Sequence, residues 1–191
     1  MASSLVYGVG INDADYVVTK EVNGRRVACP FYDRWKHMLN RCYCTKSQAR
    51  QPTYKGCTVT KEWHSFMAFK AWMIAQDWRG NQLDKDLLVN GNKVYGPDTC
   101  VFISAQLNTF TVDNGASKGE WPLGVCFSRC HGLFKAQCRD PFTGKKEFLG
   151  YFLCAESAHA AWKYRKHQHA LRFADLQKDN RLADALRVRY L

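Results

Sequence analysis

The chain lacks long hydrophobic runs, and its uninterrupted apolar stretches are short, such as the one at Cys100–Ile103. A membrane-spanning helix needs about 20 consecutive apolar residues, so none is expected here. The first residues, MASSLVYGVGIND, show neither the basic segment nor the apolar core of a secretory signal. We therefore expect a protein that is not exported and does not enter a membrane.

Acidic residues are scarce relative to basic ones. The 191 residues include 28 Lys and Arg but only 17 Asp and Glu, a net charge of +11. This surplus predicts a polyanionic partner, nucleic acid first and an acidic membrane surface second. Residues 81–115 carry two basic and four acidic side chains, between flanks of net +6 and +7. A metal-dependent phosphate-cleaving site within a DNA-binding surface would give this pattern, and so would chance variation in short windows.

Nine cysteines are present, yet no Cys-x-x-Cys pair occurs among them. Their number is odd and no export signal is visible, so a disulfide framework is not expected and reduced thiols in a cytoplasmic compartment are. The close pairs are Cys42-x-Cys44 and the more widely spaced Cys126 and Cys130. Structural Zn²⁺ commonly uses two close pairs in one tetrahedral cage, so the spacing favours buried core thiols over zinc.

Apolar spacing predicts a mixed helix and strand content. Residues 31–44 repeat apolar side chains at helical spacing, and residues 45–58 are typical of a loop. Residues 62–78 predict a second helix, whose aromatic residues we assign to core packing. Residues 83–89 predict a short strand, followed by the loop NGNKVYGPDT, the buried strand CVFIS and the short helix AQLNTF.

A polar segment, residues 113–120, marks the best domain boundary in the chain. Beyond it lie three short strand-like runs, PLGVCFS, FKAQCRD and KEFLGYF, with PFTGKK as a hairpin turn. An Ala-rich helix follows. The sequence therefore predicts an α+β protein with a domain at 1–112, a linker at 113–120, and a domain at 121–191 that holds a three-stranded antiparallel sheet and a helix.

A strand, loop, strand and helix separate Asp84 from Asn108. A ββα-metal nuclease needs this layout, because a carboxylate and an amide converge on one divalent cation beside a base that activates water. On spacing alone, solvated turn residues are the favoured explanation of Asp84 and Asn108, because Asp and Asn are common near turns.

The segment LDKDLLVNGNKVYGPDTCVFISAQLN resembles the core of phage-type HNH (His-Me finger) homing endonucleases. The upstream segments CPFYDRWKHMLNRCY, GCTV and EWHSFMAFKAWM resemble the N-terminal part of one HNH subgroup, so the resemblance covers roughly residues 7–110. It implies a ββα-metal domain with flanking helices and an endonuclease that uses Mg²⁺ or Mn²⁺. By position, it implies Asp84 and Asn108 as metal ligands and Thr99 in place of an Asn that fastens the loop.

Lys85 falls on the position of the general-base histidine. A lysine with a pKa near ~10.4 is a poor base at neutral pH unless its surroundings lower that pKa by about three units. Three alternatives stay open: Lys85 is such a base; Lys85 binds the scissile phosphate while Asp86, His64 or a metal-bound hydroxide is the base; or the site is inactive.

The segment GVCFSRCHGLFKAQCRDPFTGKKEFLGYFLCAESAHAAW is similar to the AP2 DNA-binding domain, over about residues 122–173. The shared landmarks are Gly124-Val125, Arg139-Asp140-Pro141, Leu149–Phe152 and Ala155–Trp162. The resemblance implies a sheet that lies in the major groove of DNA. The side chains at matching positions are Arg129, Lys135, Gln137, Arg139, Lys146 and Phe148. Cys126 and Ser128 stand where the family often has Arg.

Together these observations predict a phage HNH-type endonuclease, homing or nicking, that acts on double-stranded DNA in the cytoplasm of the host cell. The alternative is a catalytically degenerate HNH scaffold that acts as a non-enzymatic DNA-binding protein. The two differ in whether a cation is bound between Asp84 and Asn108 and whether cleavage follows. An RNA-binding or structural protein is the remaining possibility.

Overall fold

A computed structural model of the chain describes residues 5–112 and 119–191. The chain forms two compact units, Met1–Ile103 and Ser104–Leu191. The expected mixed α+β composition is confirmed in both units. Most of the predicted linker, residues 113–118, lies outside the described residues. None of the helices in the described part of the chain is long and apolar enough to cross a membrane.

Helices α1 and α3 form the centre of the first unit. The unit begins with the antiparallel hairpin of β1 (Thr19–Val22) and β2 (Arg25–Ala28). Five helical segments and the short strand β3 follow, namely α1 (Pro30–Tyr43), α2 (Thr45–Arg50), a 3₁₀ helix at Pro52–Tyr54, β3 (Thr58–Val59), a 3₁₀ helix at Lys61–His64 and α3 (Phe66–Ile74). Three short strands complete the unit, namely β4 (Gln82–Asp84), β5 (Val94–Tyr95) and β6 (Val101–Ile103). Strand β3 pairs with β5 in parallel, and β4 pairs with β6 antiparallel.

The core of the first unit is aromatic, as expected from the 62–78 segment. Trp35, Trp63, Phe66 and Phe69 are fully buried. The Trp35 ring lies 5.6 Å from that of Phe66, and its Nε1–H donates to the Trp63 carbonyl at 2.8 Å. Helix α1 extends over nearly the predicted residues. The predicted 62–78 helix is interrupted, because Ser65 caps a new helix by accepting from the Ala68 amide.

The second unit begins with α4 (Ala105–Thr111) and continues with an antiparallel sheet in the order β7-β8-β9. Its strands are β7 (Val125–Ser128), β8 (Leu133–Arg139) and β9 (Lys146–Phe152), followed by the long helix α5 (Ala155–Asp175) and by α6 (Asn180–Val188). The three strands and the helix after them were expected from the sequence, whereas α6 was not.

Small residues let α5 pack closely on the sheet, since Ala136 of β8 and Ala158 of α5 are both fully buried. Gly124 precedes β7 with a φ of +78°, and a Cβ there would overlap the indole of Trp162 on α5. Helix α4 packs in the same core, where the Phe110 ring lies 5.0 Å from that of Phe173.

Candidate functional site

The outer face of the β7–β9 sheet gathers five of the six residues that the sequence predicted for DNA contact. Along β8, Ala136 and Cys138 are buried, so the alternating positions Lys135, Gln137 and Arg139 point to the opposite face. On β9, Phe148 lies opposite Gln137 and Lys146 opposite Arg139. Register brings these side chains together: Lys135, Gln137, Arg139, Lys146 and Phe148, which we call the outer sheet face. Arg129 lies exposed in the turn between β7 and β8.

Aromatic rings are exposed on the outer sheet face. Phe148 is 55% exposed, and its ring lies 5.1 Å from that of Tyr151. The Lys135 ammonium lies 5.7 Å from the Phe148 ring centroid, and His131 stacks on Tyr151 at 4.4 Å. Sequence reasoning missed Tyr151 and His131 as members of this aromatic group. Tyr151 lies opposite Lys135 only because the strand register shifts next to Gln137, and no local pattern in the sequence indicates that shift. Cations and open aromatic faces together suit contact with both phosphates and bases.

The charge on the outer sheet face has one sign. The sheet strands contain one acidic residue, Glu147, which lies opposite buried Cys138 in the register. Its carboxylate faces α5, where it accepts from Arg165 at 2.7 and 2.8 Å and from His169 at 3.0 Å. The hydrogen bonds from Arg165 lower the pKa of Glu147. The only carboxylate of the sheet is therefore withdrawn from the face that carries Lys135 and its neighbours.

A tight turn orients Arg139 at the end of the outer sheet face. The Arg139 guanidinium donates to the Gly144 carbonyl at 3.1 Å. Asp140 supports the turn by accepting from the backbone amides of Phe142 at 2.7 Å and Thr143 at 3.3 Å. Partial burial raises the pKa of Asp140, but these amide hydrogen bonds outweigh it and lower that pKa overall. The Arg-Asp-Pro segment thus holds one cation in a defined direction.

Cys138, Glu147 and His169 offer three ligand atoms within 4.8 Å of one another. A thiol, a carboxylate and an imidazole suit Zn²⁺ by type. Both Glu147 oxygens, however, already accept hydrogen bonds from Arg165, and the guanidinium charge would repel a cation there. His169 is fully buried, and desolvation lowers its pKa. The cluster fits a clamp between sheet and helix better than a zinc site.

The loop after β4 holds the residues that the sequence predicted for catalysis. One Asp84 oxygen accepts from the backbone amides of Asp86 at 3.1 Å and Leu87 at 2.7 Å, which turns the chain and ends the strand at Asp84. The predicted strand at 83–89 is therefore shorter than expected. Burial raises the pKa of Asp84, and the nearby Asp86 carboxylate raises it further.

Lys85 is buried, with 7% of its surface exposed. Its ammonium donates to an Asp86 oxygen at 3.0 Å and to the Asn92 carbonyl at 3.0 Å. The group is thus used as a hydrogen-bond donor, and its positive charge lies beside the acidic pair. A divalent cation would have oxygen ligands in Asp84 and Asp86, but it would have to share Asp86 with the Lys85 ammonium.

Asn92 and Thr99 fasten this loop. The Asn92 side-chain amide donates to the Lys85 carbonyl at 2.6 Å and to the Val94 carbonyl at 2.7 Å. The Thr99 hydroxyl also donates to the Val94 carbonyl, at 2.8 Å. Sequence reasoning expected Thr99 at a loop-fastening position and missed Asn92. The Asn-Gly-Asn run was a visible turn signal that placed an amide there.

Asn108 lies on α4, in the second unit, whereas Asp84, Lys85 and Asp86 belong to the first. The metal-ligand pair of Asp84 and Asn108 stays a prediction. Searches against models of protein families, against curated proteins and against solved structures found no match to this chain.

Proposed function

We propose that the protein binds double-stranded DNA through the outer sheet face. The observation that carries the proposal is the gathering of Lys135, Arg139 and Lys146 beside exposed Phe148, with the sheet's one carboxylate turned to the opposite face. Phosphate contacts supply affinity and register on DNA, while amides, guanidinium groups and apolar side chains read base edges. Gln137 and Phe148 lie between the cations and suit the second role.

The proposal is consistent with the resemblance to the AP2 domain, since β7–β9 and α5 follow the order of that domain. The major groove admits a strand ribbon, and a guanidinium can donate two hydrogen bonds to one guanine. Arg139, oriented by the turn carbonyl of Gly144, is the side chain of the face best prepared for such a contact. Lys135 and Lys146 are suited to the phosphates on either side.

The test is fluorescence anisotropy of the full chain with labelled duplex DNA over a range of salt concentrations. Replacing Lys135 or Lys146 by Ala should each reduce the slope of log K against log salt by about 1, for all DNA sequences. Arg139→Ala should cost about 1–3 kcal/mol and relax the preference at one base pair. Lys178→Ala is a matched control, because this exposed lysine lies between α5 and α6.

Unchanged affinity in all three sheet variants would refute the proposal, as would binding that ignores salt. Tighter binding to RNA hairpins than to duplex DNA would assign the protein to a different class of partner. Circular dichroism of each variant shows whether the sheet is intact, so that loss of binding is not confused with unfolding.

Metal-dependent cleavage of DNA is a second candidate function, as the HNH resemblance implies. One observation favours it: burial raises the pKa of Asp84 and the Asp86 charge raises it further, and a cation bound by both carboxylates would relieve the repulsion between them. Buried Lys85 already supplies a positive charge to Asp86, which favours the alternative of a degenerate, non-enzymatic scaffold. Both candidates use the same DNA-binding surface.

Supercoiled plasmid incubated with the protein and Mg²⁺ or Mn²⁺ separates the two candidates. A nuclease should convert it to relaxed or linear DNA and lose that activity in Asp84→Asn and Asn108→Ala, while anisotropy shows that DNA binding is retained. If the parent protein does not cut and Lys85→His does, the scaffold is degenerate. If Asp84→Asn cuts as well as the parent, Asp84 is not a metal ligand.

A further inference from the structure

A stretch of the first unit carries only positive charge. Residues 34–61 contain seven Lys and Arg and no Asp or Glu. The stretch includes most of α1, all of α2, the 3₁₀ helix at Pro52–Tyr54 and β3. The pairing of β3 with β5 adds an eighth cation, because the Lys93 ammonium donates to the Thr53 carbonyl at 2.7 Å.

Six of these cations are exposed and have no acidic partner in the described part of the chain, and four of the six lie on α2 or beside the 3₁₀ helix that follows it. We call Lys46, Arg50, Lys55 and Lys93 the α2 surface. Across the described ranges 5–112 and 119–191, no carboxylate lies within 4.0 Å of any of their charged nitrogens. In the second unit, by contrast, exposed Arg181 and Arg187 are paired with Asp179 and Asp184.

The α2 surface rests on a fixed backbone. Lys46 and Arg50 are four residues apart on α2, so they lie on one side of the helix about 5–6 Å apart at their Cβ atoms. The Gln48 side chain ties α2 to the end of α1 by donating to the Cys42 carbonyl at 2.6 Å. The Arg41 guanidinium of α1 lies 5.3 Å from the ring centroid of Tyr54. This contact ties the 3₁₀ helix that precedes Lys55 to α1.

The chemistry of α2 selects a phosphate backbone over a membrane surface. Membrane-surface helices pair their basic residues with an apolar face that enters the lipid. The α2 sequence, TKSQAR, has no large apolar residue and none of its residues is buried. Its remaining polar side chains include the hydroxyls of Thr45 and Ser47, and hydroxyls commonly donate to phosphate oxygens.

We propose that the α2 surface is a second contact for the phosphate backbone of DNA, independent of base sequence. The choice of duplex DNA as partner rests on the function proposed above, but the surface lies in the first unit and shares no residue with the outer sheet face. Each of its cations that neutralises a phosphate releases condensed counterions and adds about 0.9 to the salt slope.

The test compares three triple variants of the full chain, each of which removes three positive charges. The first is Lys46→Ala, Arg50→Ala and Lys55→Ala; the second is Lys135→Ala, Arg139→Ala and Lys146→Ala. The matched control is Lys20→Ala, Arg25→Ala and Arg26→Ala, which removes the same charge from the exposed β1–β2 hairpin. Duplexes of two unrelated sequences are titrated by anisotropy over a range of salt concentrations, and calorimetry monitors folding.

The α2 triple should lower the salt slope by about 2.7 for both sequences, since three phosphate contacts of about 0.9 each are lost. The control triple should change it little. A normal slope in the α2 triple, with weakened binding in the sheet triple, would overturn this inference and leave the proposed function intact. If neither the α2 triple nor the sheet triple weakens DNA binding, the proposed function itself is overturned. An equal loss in the control triple would show that net charge alone, rather than the α2 surface, sets the affinity.

Discussion

Gly124 is the position where one added methyl group should destabilise the second unit most. Its φ of +78° lies in the left-handed region, where a residue with a Cβ costs about 1–2 kcal/mol. The added Cβ would also lie 2.6 Å from Nε1 of Trp162 and nearer still to other indole atoms. Such overpacking typically costs about 1–3 kcal/mol. Gly124→Ala should therefore reduce the free energy of unfolding by about 2–5 kcal/mol.

The surrounding contacts leave the Trp162 indole little room to move. It stacks on His159 with ring centroids 5.2 Å apart, and His159 Nδ1 lies 2.9 Å from the Leu123 carbonyl. Gly124 itself is fixed, because its carbonyl accepts from the Gln137 amide at 2.8 Å. Relief of the overlap would thus break either a ring stack or a strand contact.

Gly144→Ala is the matched control. Gly144 has a φ of +72°, but no atom lies within 4 Å of where its Cβ would be, so this variant bears only the backbone cost. For a unit of this size, each 1 kcal/mol shifts the melting temperature by about 4–8 °C. Calorimetry should show Gly124→Ala melting at least about 4 °C below Gly144→Ala. Equal melting temperatures would refute the packing of Trp162 against Gly124.

Three further predictions concern the clamp, the loop and the thiols. Glu147→Gln should cost about 1–3 kcal/mol at pH 7. In the parent, the folded-state pKa values of Glu147 and His169 are both lowered. Urea titrations should therefore show stability falling as the pH drops below about 6.5, where His169 of the unfolded chain binds a proton, and falling again below about 4.3, where Glu147 of the unfolded chain does. The variant should reduce the second loss of stability. Asn92→Ala should speed amide hydrogen exchange in the loop after β4, because two carbonyls lose their side-chain donor. Burial raises the pKa of Cys100 to about 12, so at pH 8 it should react with a disulfide reagent only after unfolding, whereas exposed Cys130 should react at once; fast reaction of Cys100 in the folded protein would contradict its burial.

Local patterns predicted the larger elements of this chain. The apolar spacing around Trp35 placed α1, and the PFTGKK turn placed β8 and β9 on either side of a hairpin. The α6 helix was missed although Asp179 precedes it as a cap and buried Leu182 and Leu186 share one side of it. The β1–β2 hairpin was missed despite its Asn-Gly turn, which is a strong hairpin signal.

Features that depend on residues distant in sequence were not predictable. The two-residue strands β3 and β5 pair across more than thirty residues and carry no periodicity of their own. The binding of Glu147 by Arg165 and His169 requires the register of β9 against α5, which no local pattern supplies. The side chains of the outer sheet face were predicted from the resemblance to the AP2 domain, and the alternation of side chains along each strand is what places them on one face. The function of that face, and of the loop that holds Lys85, stays a prediction for experiment.

Helix α4 has a consequence for how the chain can be divided. It is covalently continuous with β6, yet its Phe110 packs among the aromatic rings of the second unit and its backbone carbonyl accepts from Lys166 at 2.6 Å. A break in the polypeptide between residues 112 and 119 would therefore cut the covalent connection but leave the contacts of Phe110 with the second unit in place. Two separately expressed fragments, 1–112 and 119–191, should therefore associate without a covalent link, because α4 of the first fragment completes the core of the second.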